Sequence, residues 1–118
     1  KKVELIKKEL IDFFNDTKQN GGKIVCYGAA AKGNTLLNFC QIKQESIQYV
    51  VDKNPHKQGL YLPGTHLPIK SPEEIKKTKP DFILILPWNI KEEIMKDVGF
   101  IRDWGGKFVI PIPKVSII

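Results

Sequence analysis

The sequence predicts an α/β fold of three layers: a parallel sheet of about five strands in the order 3-2-1-4-5, helices on both faces, and an extra N-terminal helix. Three observations lead there. Phe82-Ile83-Leu84-Ile85-Leu86 is a continuous apolar run, the mark of a central parallel strand covered on both faces. Ile24-Val25-Cys26-Tyr27 breaks at Gly28 and re-enters an apolar helical pattern at Leu36-Leu37. Short apolar runs alternate along the whole chain with segments of helical spacing.

Each element has its own signal. Val3, Ile6, Leu10, Phe13 and Phe14 recur at helical spacing, so Val3 to about Thr17 is the first helix, stopped by Asn20-Gly21-Gly22. Lys23 to Tyr27 is a short buried strand, and a helix runs from the glycine turn to about Asn38. Ile47 to Val51 is the second strand. Lys53 to Gly59 is a polar loop of turn formers, Pro63-Gly64 is another turn, and Leu67-Pro68-Ile69 makes a short edge strand. Ser71 as N-cap, Pro72 at the first helical position and Glu73-Glu74 in the first turn start a brief helix that ends at Lys79-Pro80. After Pro87-Trp88-Asn89, Ile90 to Trp104 is a helix with Ile90, Ile94, Val98 and Ile101 on one stripe, closed by Gly105-Gly106. Lys107 to Ile110 is the last strand.

The strand-to-helix turn Gly28-Ala29-Ala30-Ala31-Lys32-Gly33-Asn34-Thr35 carries the chemistry. Free N–H groups and the dipole at a helix N-terminus favour an anion. A P-loop needs lysine directly after its second glycine, and Asn34 holds that position, which argues against an ATPase or GTPase. A dinucleotide turn needs a glycine where Ala30 stands, so a ligand would sit slightly further out. The turn reads as a degenerate Rossmann type, or as a tight connection that binds nothing.

In a Rossmann-like sheet of this order, ligands occupy the crevice beyond the carboxyl ends of strands 1 and 4, where the order reverses. That brings Gly28, Ala29, Ala30, Lys32, Gly33 and Asn34 beside Trp88 and Asn89, with Asp52 on one flank. Lys32 would meet a phosphate as a point charge, or is simply exposed. Asp52 would accept from ribose hydroxyls, or forms an Asx turn with Asn54. Trp88 would stack on a base or sugar, or caps the sheet or meets a neighbouring domain. Asn89 would bond a ligand, or caps the next helix. His66 lies in a turn-rich loop with no recognisable partner acid.

Composition narrows the classes. The 118 residues carry a net charge of +6, yet the lysines alternate with acids along helix faces and Arg102 is the only arginine, so the basic stripe of a nucleic-acid binder is missing. No apolar run approaches membrane-spanning length and no signal peptide is visible, which predicts a cytoplasmic protein. Cys26 and Cys40 lack metal spacing and read as reduced thiols acting as small hydrophobes. No nucleophile–base set, metal motif or acid pair is spelled out, so the expectation is a binding domain with no reaction centre of its own. Starting at Lys1-Lys2 without Met, residues 1–118 read as one Rossmann-like domain cut from a longer chain.

Several blocks together resemble a known family. Tyr27 to Asn38, Tyr49 to Gly59, Leu62 to Ile69, Ile85 to Asn89 and Trp104 to Phe108 look like the C-terminal domain of nucleotide-sugar C-methyltransferases, and the likeness covers nearly the whole chain. It implies a parent enzyme that methylates a ring carbon next to the keto group of a sugar linked to a nucleoside diphosphate, in deoxysugar biosynthesis. It implies S-adenosylmethionine and zinc bound by domains outside this sequence, and packing against a central methyltransferase domain. For this chain it implies no cofactor and no catalytic residue, only a nucleotide-sugar-binding role for the glycine turn and the loops near it. A stand-alone nucleotide- or CoA-binding module, or a purely structural packing domain, are the alternatives.

Overall fold

A computed structural model of the chain describes residues 2–42 and 44–118. Its elements are α1 (Lys2–Gln19), β1 (Ile24–Tyr27), α2 (Ala31–Phe39), β2 (Val50–Val51), β3 (Ile69–Lys70), α3 (Glu74–Thr78), β4 (Phe82–Ile85), α4 (Lys91–Asp97), β5 (Lys107–Ile110) and β6 (Ser116–Ile117). They form a six-stranded sheet in the order β3-β2-β1-β4-β5-β6. The first five strands run parallel, and β6 returns antiparallel to β5. The expected order 3-2-1-4-5 is therefore present, with one strand more.

Strand alternation sorts the core into two layers. Ile24, Cys26, Val50, Leu84 and Val109 point to one face, where they meet Ile6, Leu10, Phe13 and Phe14 of α1 and Leu37 of α2. Val25, Tyr27, Val51, Ile83, Ile85 and Phe108 point to the other, against Ile75 of α3, Ile94 of α4 and the segment Val98–Ile101. The N-terminal helix is thus part of the α2 layer. Phe13 meets Phe82 edge to face at 5.0 Å between ring centroids. Among the described residues no helix is long and apolar enough to cross a membrane.

Four expectations are corrected. The helix expected over 90–104 is interrupted at Val98 (φ −118°, ψ 30°); a 3₁₀ turn at Trp88–Ile90 precedes α4, and another at Gly99–Trp104 follows it. Ile94, Val98 and Ile101 are buried as the stripe requires, but Ile90 is exposed. The Ser71-Pro72 start lies ahead of its helix: α3 begins at Glu74, while Ser71 Oγ accepts the Glu73 amide at 3.3 Å. Asn89 does not cap α4, because it lies inside the preceding 3₁₀ turn and Ile90 takes the cap position with no side-chain bond. The second and third strands pair over two residues each, at Val50–Val51 and Ile69–Lys70, since the loops that flank them carry their own turn bonds. The added strand β6 is held by Phe108 and Ile118, which exchange backbone bonds, and by Arg102 Nη1 donating to the Ile118 carbonyl at 3.0 Å.

Burial pushes the thiols of Cys26 and Cys40 and the phenols of Tyr27 and Tyr49 above their ordinary values. The unfolded chain releases these protons first, so above the unfolded values it binds fewer protons than the native state and stability falls as pH rises. The contribution is complete below about pH 8, and a buried thiol such as Cys26 then removes about 1.4 kcal/mol per pH unit across its window. Urea unfolding under reducing conditions is expected to show a midpoint that declines from about pH 9 upward. A midpoint unchanged through that range would contradict this description of the core.

Candidate functional site

The order reverses between β1 and β4, and the crevice at their carboxyl ends is built by two close approaches. Gly28 has φ +103°, a backbone state that favours glycine, and an added Cβ would lie 2.5 Å from Pro87 Cδ. Gly33 is buried, and a Cβ there would lie 2.5 Å from Leu86 Cβ. The first turn of α2 therefore rests directly on the end of β4. This is the role that the first and last glycines of a dinucleotide turn play, and both are kept here.

The hydrogen bonds of the turn divide its amides into two sets. Gly28 N–H donates to the Val51 carbonyl at 2.8 Å, and Ala29 N–H donates to Asp52 Oδ2 at 2.9 Å. Asp52 Oδ1 accepts the Asn54 amide, also at 2.9 Å, which is the Asx turn. Asp52 thus ties the ends of β1 and β2 together, and its carboxylate occupies the first amide of the cradle. The amides of Ala30, Ala31, Lys32 and Gly33 follow, and among the described residues none has a protein acceptor. They are the orphan donors of a helix N-terminus. Ala30 is exposed and in extended conformation (φ −87°, ψ 158°), with no side chain capping the helix.

The residues that carry these donors line a cavity of about 330 Å³, together with Leu86, Pro87, Trp88 and Asn89. Lys32 Nζ stands 5.9 Å from the Trp88 ring centroid, so a cation and an indole share the rim. Trp88 is half-buried and packs against the α4-side core. A neighbouring cavity of about 240 Å³ shares Ala30 and Pro87 and adds Asp52, Lys53, Glu93 and Asp97. Lys57, absent from the sequence-based set, reaches the Ala29 carbonyl at 3.3 Å from the loop after β2. Nothing in its sequence setting distinguishes it from the other lysines of the chain.

The fold brings Gly28, Ala30, Lys32, Gly33, Asp52, Trp88 and Asn89 to these two cavities. Ala29 and Asn34 support the turn from within: Asn34 N–H donates to the Ala30 carbonyl, and its buried Oδ1 has no partner. His66 is not brought to the crevice. It is exposed at φ +59°, in a turn that packs toward Asn38 at the far end of α2, with its carbonyl accepting from Gln44 Nε2 at 3.2 Å. A cavity of about 490 Å³ lies at the opposite, N-terminal ends of β4 and β5, around Thr17, Gly22, Asp81 and Lys107. Asp52→Ala removes acceptors from two backbone amides and is expected to lower unfolding free energy by about 1–2 kcal/mol, with Asp52→Asn losing less, as urea denaturation would measure.

Comparison with known proteins agrees with this architecture. The C-methyltransferase C-terminal domain family matches residues 1–113. C-methyltransferase NovU of Streptomyces niveus is 33% identical over 115 residues, an alignment taking 98% of this chain and 27% of NovU; the chain spans only that share of its relative. The crystal structure of UDP-D-quinovosamine 4-dehydrogenase from Vibrio fischeri shares the fold, with a TM-score of 0.58, 20% identity and 79% of each chain covered. From the family match and the curated relative together, the chain belongs to the C-methyltransferase C-terminal domain family.

Proposed function

We propose that this chain is the accessory domain that binds the sugar nucleotide in an S-adenosylmethionine-dependent C-methyltransferase acting on a keto-deoxysugar nucleotide. One observation carries the reading: the four residues with unpartnered amides at the start of α2 line one cavity with Trp88, whose ring lies 5.9 Å from Lys32 Nζ. Such a set suits a diphosphate, with amides and an ammonium as donors and the indole as a stacking surface for the attached base or sugar. The Ala30 methyl and the Asp52 carboxylate keep that diphosphate further from the turn than a dinucleotide would lie. The domain binds and orients, and the carbon chemistry takes place on the neighbouring methyltransferase domain against which it packs.

S-adenosylmethionine would supply the methyl group from a site outside this chain. Zinc would likewise be held elsewhere in the parent: Cys26 and Cys40 are buried, and among the described residues no group of three or more His, Cys, Asp or Glu could hold a metal ion.

Titration calorimetry of the 118-residue chain with thymidine diphosphate tests the reading. Saturable binding that weakens with added salt is expected, and Lys32→Ala should reduce the affinity about threefold, the size of an exposed charge contact. Absence of binding to thymidine and uridine diphosphates at millimolar concentration would refute the role. Tighter binding of NAD or coenzyme A would instead favour a free-standing nucleotide module.

A further inference from the structure

A carboxylate stands beside the turn that the proposed reading gives to an anion. Asp52 Oδ2 accepts the Ala29 N–H at 2.9 Å, one residue before the free amides of Ala30–Gly33. A fixed negative charge there repels a phosphate. The next backbone group carries the opposite charge. Lys57 Nζ donates to the Ala29 carbonyl at 3.3 Å, and among the described residues no carboxylate pairs with it. Lys53, the other ammonium of the loop after β2, is taken by Asp97.

The loop holds Lys57 in place. The Lys57 amide donates to the Asn54 carbonyl at 3.0 Å, its own carbonyl accepts from Leu60, and Gln58 Nε2 donates to the Asp52 carbonyl at 2.8 Å. Lys57 is half-buried in this setting. The Ala29–Ala30 peptide is trans, so its C=O and N–H point in opposite directions. Lys57 occupies the carbonyl on one side, and the Ala30 N–H is left without a protein acceptor on the other. An anion oxygen on that N–H would stand about 8 Å from the ammonium, too far for a bond between them and inside the screening length of ordinary buffers. A cation hydrogen-bonded to a carbonyl draws electron density from the peptide, and the N–H of the same peptide becomes a stronger donor.

Resting on the diphosphate reading, we propose that Lys57 is a positioning residue of that site. It touches no ligand. It polarises the Ala29–Ala30 peptide and offsets the charge of Asp52, and so strengthens the Ala30 N–H as a donor to the anion. Lys32 meets the anion from the helix side as a charge; Lys57 acts on it through the backbone.

The test uses Lys57→Met, which keeps the length of the side chain and removes its charge, and Lys57→Arg, which keeps the charge. In the unliganded ¹⁵N-labelled chain, hydroxide removes the Ala30 amide proton during exchange with water, and a cation on that peptide stabilises the anion formed. Lys57→Met should therefore slow exchange at Ala30 about threefold. A turn that had only lost an anchor would exchange faster. Affinity for thymidine diphosphate should fall about threefold in the same variant, and Lys57→Arg should restore both quantities. Wild-type affinity in Lys57→Met, Ala30 exchange that is unchanged or faster, or a Lys57→Arg chain that behaves like Lys57→Met overturns the proposal and leaves the diphosphate reading standing. Failure of the wild-type chain to bind thymidine diphosphate overturns both.

Discussion

The seating of the first turn of α2 on the end of β4 is the constraint from which the rest follows. Gly28 meets Pro87 and Gly33 meets Leu86 at distances that leave no room for a methyl group. Because the helix starts there, its unbonded amides lie at the switch point of the sheet. The same contact sets Trp88 opposite Lys32 and holds β1 and β4 in register along their full length. A larger residue at either glycine would lift the turn away and lose packing and site geometry together.

Electrostatics then divides the crevice. Toward α2 the donors are amides and Lys32; toward α4 the groups are carboxylates with Lys53 locked to one of them. The hydrogen bond to Asp97, with its charge, raises the Lys53 ammonium above the usual lysine value. Asp52 lies between the two halves and belongs to neither outright, since both its oxygens already serve backbone amides.

Most of the sheet was legible in the sequence because buried parallel strands are written as continuous apolar runs. Phe82–Ile85 and Ile24–Tyr27 announce themselves in that way, and the glycine between β1 and α2 marks the turn. The signals that misled were local ones overridden by packing. Ser71-Pro72 carries the chemistry of a helix start, and the Ser71 and Pro72 carbonyls do accept the Glu74 and Ile75 amides, but as i to i+3 turns that precede the α-helix proper at Glu74. Asn89 is a good capping residue held in a 3₁₀ turn that packing of Trp88 on the core imposes. β6 was invisible because an edge strand this short, placed after Pro111-Ile112-Pro113, has no periodicity to read. In the site, the turn and Trp88 were readable, while the bonds of Asp52 and Lys57 to the backbone of Ala29 join residues far apart in sequence and only the fold brings them together.

The central claim is that the amides of Ala30, Ala31, Lys32 and Gly33 receive negatively charged oxygens. Backbone amide chemical shifts of the ¹⁵N-labelled chain, followed through a titration with thymidine diphosphate, report on those four groups individually. The account predicts that they move together and saturate at one ligand concentration, with Trp88 and its indole N–H following. Shifts absent from these amides, or confined to the Thr17–Gly22 cavity at the other end of the sheet, would contradict it.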